Sequence, residues 1–294
     1  MSREKYKNQI QSLIGLPTLP TIALEIQNIM REDNLSVIQT VPVIEQDPSL
    51  AMKILKVANS AFYGMETKVN SLRRAVVIIG MRELAGIVLG FSVLKSMSGP
   101  EDHSSKDWKR FWEHCIAVGH IAELLDEELG TRFGESPYSL GLLHDIGKLV
   151  MFKLDPEKYM EAYNRSLLEK IPLLEAEESV FGITHQDAGK WITEKWGLSH
   201  FVQAVNGYHH DLDAIADQDL KPMVALVQLA NEISGGIRMN FGYRILRTSD
   251  DVPHAWEVLR SRSKRATDTT YDEFLLDLEG HWGAVREMVK LLNM

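Results

Sequence analysis

Six positions in this sequence carry side chains that bind transition metals: His114, His144, Asp145, His185, His209 and His210. Imidazole and carboxylate together suit Fe, Mn, Zn or Ni better than Mg or Ca. The centre of the set is the run GLLHDIGKL at 141–149, where His144 and Asp145 are adjacent. Neighbouring side chains leave a helix about 100° apart, so such a pair can grip one ion from two sides. The two oxygens of Asp145 can also bridge two ions. Lys148 follows three residues after Asp145 and four after His144, on the same helical face, where an ammonium can meet a substrate phosphate. The competing reading is structural: a buried His–Asp pair hydrogen-bonded in a core, with Lys148 an ordinary surface charge.

The remaining candidates are weaker. His120 lies six residues from His114, off its helical face, and reads as structural or solvated. His103, His200, His254 and His281 stand alone and read as non-ligands. Asp211 and Asp213 follow the histidine pair and can orient a ring nitrogen, or simply belong to a solvated loop. Trp108, Phe111 and Trp112 cluster just before His114, as core packing or as a wall over a metal pocket. Cys115 is the one cysteine. It excludes an internal disulfide, reads as a buried inert thiol, and fits a reducing cytoplasm.

Ligands this far apart in sequence must be gathered by a folded frame, and the frame reads as all-α. Strand signals are scarce, and apolar residues recur with a period near 3.6. Thr21 precedes an apolar face of Ile22, Ile26, Ile29 and Met30. Asp47–Pro48 reads as an N-cap followed by proline at the first helical position, opening a helix that stops near Gly64. Ser71 caps a run through Ile79 that Gly80 interrupts. The break at Ser98–Pro100, followed by EDHSSKD, predicts a lobe boundary. Helices are expected from Trp108 to Leu129, from about Ser139 through the HD pair, and over 156–169, 173–181, 185–196, 199–208 and 220–234. The segment from 236 to 294 reads as a helical extension.

Composition narrows the function classes. The chain has 294 residues, 45% hydrophobic and 25% charged, enough for a substantial core. Its net charge of −9 repels phosphate backbones, so nucleic-acid binding would need a local basic patch. Helices at about 36–46 and 48–60, with Lys53, Lys56, Arg73 and Arg74, offer such an edge in helix-turn-helix style. Helix pairs with short turns are equally common in all-α cores. The polar N-terminus has no apolar signal region, and no apolar run reaches membrane-spanning length. A cytoplasmic protein without a membrane segment is expected.

The spacing also carries a resemblance. His114, with HDIGK thirty residues on, resembles the HD superfamily of metal-dependent phosphohydrolases. THQDAGKW at 184–191 and NGYHHD at 206–211 resemble its HD-GYP branch, which cleaves cyclic di-GMP. The first 235 residues resemble HDOD proteins, the HD-related output domains, through LPTLP, EQDPSLAMKILKVANSAFYG and SLRRAVVIIGM. The resemblance implies an HD-type helical bundle with an additional N-terminal lobe. It divides the chain into an HDOD domain at 15–235, with lobes at 15–100 and 101–235, and the extension beyond.

The resemblance further implies one ion held by His114, His144, Asp145 and a late residue at Asn231. A second is held by Asp145, His185, His209 and His210. Asn231 departs from the family's aspartate, and its neutral amide binds cations more weakly than a carboxylate does. Arg110 stands where some relatives place a third-ion glutamate, and the GYP loop is absent. The expected function is therefore a signal-transduction output module binding one or two divalent transition-metal ions, with weak or absent catalysis. A signalling protein partner and a phosphate-containing small ligand are expected, and nucleic acid is not. The alternative is a metal-dependent phosphodiesterase in which Asp145 bridges the ions and Lys148 contacts phosphate. The third reading is a DNA-binding regulator.

Overall fold

The computed structural model describes residues 2–31, 36–97, 106–241 and 252–292. Among these every regular element is helical. The first part contributes α1 (Ser2–Gln11), α2 (Thr21–Arg31), α3 (Val37–Glu45), α4 (Pro48–Ala58), α5 (Leu72–Ile79) and α6 (Met81–Met97). The middle contributes α7 (Lys106–Leu129), α8 (Pro137–Leu143), α9 (Ile146–Leu154), α10 (Pro156–Glu169), α11 (Leu173–Phe181), α12 (His185–Lys195), α13 (His200–Tyr208) and α14 (Lys221–Gly236). Then follow α15 (His254–Arg260), α16 (Lys264–Asp268), α17 (Tyr271–Leu278) and α18 (Trp282–Leu292). The break expected at Ser98–Pro100 and the lone His103 lie outside the described residues.

Local chemistry explains where helices begin. The Asp47 carboxylate accepts from the Ser49 and Leu50 amides, with Pro48 at the first helical position. Ser71 accepts from the Arg74 amide. Thr184 and Asp187 form a reciprocal capping box that starts α12 at His185. Gly80, at φ +87°, turns the chain by 111° between α5 and α6, a conformation that favours glycine. Among the described residues no single helix is long and apolar enough to cross a membrane. The apolar α6 is instead covered by α2 and α8.

One expectation needs correcting. The HD pair does not sit within a helix. Capped by Ser136, α8 starts at Pro137, two residues before the expected Ser139, and ends at Leu143. Asp145 has φ −105° and ψ +15°, outside helical values, and α9 starts at Ile146. The side chain of Asp145 makes no capping bond, because it is turned toward the interior.

Two close approaches hold this break in place. α7 and α8 cross at Gly119 and Gly141, where a Cβ on Gly141 would lie 2.8 Å from the Gly119 Cα. α9 meets the start of α12 at Gly147, where a Cβ would lie 1.9 Å from the His185 carbonyl oxygen and 2.7 Å from the Gly189 nitrogen. Beside them, Trp108 packs edge-on to Phe111 and Phe152, and Phe241 joins the same aromatic cluster. The expected cluster before His114 is therefore core. α18 closes over α7 and α4, and Lys56 donates to the Leu291 carbonyl at 3.1 Å.

Two predictions follow from these contacts. Gly147→Ala forces backbone apart at the α9–α12 crossing and should cost about 3 kcal/mol or more in urea unfolding; a loss within noise would contradict the packing. Asp47→Ala should cost about 1 kcal/mol by the same measurement, as loss of a helix cap does.

Candidate metal centre

Four parts of the fold deliver the predicted residues to one place. His114 comes from the middle of α7, and His144 and Asp145 from the α8–α9 break. His185 opens α12, and His209 and His210 end α13. Asp145 and His209 are fully buried, and His114, His144 and His185 are at most 3% exposed. His210 keeps an exposed edge.

Asp145 is the hub. Its Oδ2 lies 3.3 Å from His114 Nε2 and 3.2 Å from His144 Nε2. Its Oδ1 lies 3.5 Å from both His185 Nε2 and His209 Nε2. The His210 ring stands beside these, with centroids 4.2 Å from His209 and 5.2 Å from His185. Two groups thus have ligand atoms mutually within 4.8 Å: His114, His144 and Asp145, and His185, His209 and His210. The carboxylate presents one oxygen to each.

The far nitrogen of each central ring is anchored. His114 Nδ1 lies 2.9 Å from the Met239 carbonyl, and His144 Nδ1 lies 2.6 Å from that of Gly141. His209 Nδ1 lies 2.9 Å from the Val205 carbonyl. His185 Nδ1 lies 2.6 Å from Glu177 Oε2, which also accepts from the His185 amide at 2.9 Å. Carbonyl and carboxylate oxygens only accept, so each Nδ1 carries the proton and donates. In the neutral form of each ring, Nε2 then turns a lone pair toward Asp145. Burial pushes the His114 and His144 rings below the ordinary histidine range, and His209 down to about 4, so neutral rings are favoured. Burial alone would raise the Asp145 carboxyl. The positive charge gathered around it, with the Lys148 ammonium on Oδ2, instead holds it well below the usual carboxylate range.

The result is a set of acceptors facing an acceptor. His144 Nε2, His185 Nε2, His209 Nε2 and Asp145 Oδ1 are buried and make no hydrogen bond. Buried polar atoms without partners are costly. Divalent cations would resolve this arrangement, since the lone pairs on either side of the carboxylate are free to coordinate. The donor set of imidazoles and one carboxylate fits such an ion, and Nδ1 anchoring is what orients histidine ligands in metal proteins.

The two sides of Asp145 differ. Lys148 Nζ lies 2.5 Å from Oδ2, the oxygen facing His114 and His144, and 5.6 Å from the centre of the Phe241 ring. Lys148 is therefore a buried partner of Asp145 rather than a surface charge. Asn231 is buried on α14, which packs along α7. It lies one turn before Ser234, whose hydroxyl is 3.4 Å from His114 Nδ1.

Glu177 escaped the sequence reading. Its signal was a charged residue on the apolar stripe of α11, where Leu173, Ala176 and Phe181 are its buried neighbours. Asp211 and Asp213 do not orient the rings. Asp211 caps the turn Leu212–Ala214, and Asp213 pairs with Lys221. His120 lies apart, with its ring 4.7 Å from that of Tyr138.

Residues 16–212 match the model of the HDOD domain. An uncharacterised protein of Treponema pallidum (strain Nichols) is 26% identical over 217 residues, spanning 74% of this chain and 41% of that protein. The chain thus covers less than half the length of this relative. An HDOD domain protein of unknown function from Geobacter sulfurreducens has a similar structure, with a TM-score of 0.79, 26% identity and 98% of each chain covered. A protein from Marinobacter aquaeolei VT8, provisionally described as a signal transduction protein, gives a TM-score of 0.75 at 20% identity over 100% of this chain and 65% of that one. One from Shewanella amazonensis SB2B, provisionally described as a metal-dependent phosphohydrolase, gives 0.62 at 18% identity over 99% and 98%. At such identities these two likenesses speak for the fold alone. The family match covers well over half of the sequence, and the all-helical frame agrees with it: the chain belongs to the HDOD domain family.

Proposed function

We propose that this protein is a signalling output module whose HD-type centre binds divalent transition metal and whose catalysis is weak or absent. The observation that carries the metal reading is the set of unpartnered lone pairs around Asp145 Oδ1. Asp145, His185, His209 and His210 would hold one ion. His114, His144, Asp145 and Asn231 would hold a second, more weakly, because Asn231 contributes a neutral amide. Fe, Mn, Zn and Ni all suit these donors.

The second reading is a phosphohydrolase acting on a cyclic dinucleotide or another phosphodiester. It is favoured by the intact half of the site and by the likeness to a protein provisionally described as a metal-dependent phosphohydrolase. Bound divalent ions would supply an acidified water and a Lewis acid for the phosphoryl oxygens. This chain's own contribution would be Asp145, holding the ligand set together, and Lys148, contacting phosphate. Lys148 is held on Asp145 Oδ2 at 2.5 Å and is buried, so reaching a phosphate requires it to leave that partner. That cost, with the amide at Asn231, is why weak catalysis is favoured.

A signalling protein is the proposed partner, supported by the family and by the likeness to a protein provisionally described in signal transduction. The DNA-binding reading lacks comparable support. Lys53 lies over the Phe91 ring at 4.8 Å, Lys56 is engaged by Leu291, and Arg74 donates to Thr67.

Elemental analysis of protein purified without chelators tests the proposal. About one transition-metal ion per chain or more is expected, lost in Asp145→Ala; metal-free wild type would sink the reading. Glu177→Gln removes the carboxylate that orients His185 and should weaken metal affinity about 10- to 100-fold, as such changes typically do. Hydrolysis of a generic phosphodiester, metal-dependent and abolished in Asp145→Ala, would decide for the enzyme; turnover indistinguishable from that variant's is the expected result.

A further inference from the structure

Away from Asp145 the chain builds a second concave site. A cleft of about 390 Å³ is lined by Arg110 and Glu113 of α7, Tyr163 of α10, Arg238 just after α14, and Arg286 and Lys290 of α18. Its volume falls within the ~300–1,000 Å³ typical of small-molecule sites. Four of these side chains are cationic and one is anionic, on a chain whose net charge is −9. The cations come from three separate parts of the fold and stand exposed around the cleft, while Tyr163 is buried behind them. Like charges gathered from distant segments repel one another, and they add nothing to a folded core. An anion in the cleft relieves that repulsion.

Arg238 points the same way independently. Its φ is +63°, a left-handed conformation at a helix end that favours glycine. The turn is closed by backbone bonds, from the Arg238 amide to the Gly235 carbonyl at 3.1 Å and from the Met239 amide to the Ser234 carbonyl at 2.8 Å. The turn itself therefore has no need of a guanidinium, and glycine would form it with less strain. The arginine contributes its side chain to the cleft.

We propose that this cleft binds a small phosphorylated ligand carrying two or more linked phosphoryl groups. Guanidinium forks match phosphate oxygens in pairs, and Lys290 adds a point charge. Tyr163 offers an apolar wall to an organic portion, if the ligand carries one. The cleft contains none of the metal-binding candidates, so the proposal does not depend on the metal reading. The two sites do share a turn: Met239 lines the cleft, and its carbonyl anchors His114 Nδ1.

Calorimetric titration of the full chain with inorganic pyrophosphate, triphosphate, ATP and citrate tests this. The titrations are run on protein as purified and again after dialysis against a chelator. Saturable binding of pyrophosphate or triphosphate, near one per chain and weakening with salt, is expected in both samples. Tighter binding of ATP than of triphosphate would assign the organic wall, and equal binding would leave the phosphoryl groups as the whole of the recognised ligand. Arg286→Glu combined with Lys290→Glu, both exposed on α18, should weaken binding at least tenfold. Arg238→Gly keeps the turn and should also weaken binding, with a melting temperature no lower than that of wild type. No saturable binding at millimolar ligand would overturn the proposal, as would affinities untouched by these variants or citrate binding as tightly as triphosphate. Heat seen only before chelation would overturn it too, since it would report capture of metal by the phosphates.

Discussion

The centre of this molecule is a buried carboxylate surrounded by histidine rings that have been denied the chance to donate to it. Each of the four central rings gives its Nδ1 proton to a fixed acceptor: the carbonyls of Met239, Gly141 and Val205, or the carboxylate of Glu177. What remains around Asp145 is a shell of nitrogen lone pairs at 3.2 to 3.5 Å. Neutral acceptors around a buried anion are unfavourable in a low-dielectric interior unless a cation is shared among them. The rest of the architecture serves that constraint.

The frame must bring four distant parts of the chain to one point and hold each ring by its far side. The break between α8 and α9 turns Asp145 inward, where a continuous helix would place it in line with its neighbours. The glycine contacts at 119–141 and at 147 let α7, α9 and α12 approach closely enough for one carboxylate to reach four rings. Lys148 makes the centre asymmetric by holding Oδ2 while Oδ1 faces His185 and His209. The two groups of candidate ligands thus differ in electrostatics as well as in composition.

Much of this was legible in the sequence because helix signals are local. Asp47–Pro48, Ser71 and Gly80 announce their turns by side-chain chemistry alone. The spacing of His114, the HD pair, His185 and the His209–His210 pair marked the residues that the fold brings together, since few other residue types bind transition metals. The break at His144–Asp145 was not legible, because GLLHDIGKL has helical periodicity and the break is imposed by packing against α7 and α12. Glu177 was harder to read for a related reason: its place on the apolar stripe of α11 hints at burial, but nothing local ties it to a histidine eight residues on. The burial of Lys148 was not legible either, because burial of a lysine depends on what covers it, here Phe241 and Asp145. Backbone acceptors such as the Met239 carbonyl leave no residue-type signal at all.

The proposed function requires a divalent ion shared by Asp145 Oδ1 and the rings of His185, His209 and His210. An anomalous difference map, collected from crystals across the absorption edges of Mn, Fe, Ni and Zn, tests it most directly. A peak is expected about 2.0–2.2 Å from His185 Nε2, His209 Nε2 and Asp145 Oδ1, the usual range for nitrogen and oxygen ligands. A map without an anomalous peak there, with water or protonated rings satisfying Oδ1, would contradict it.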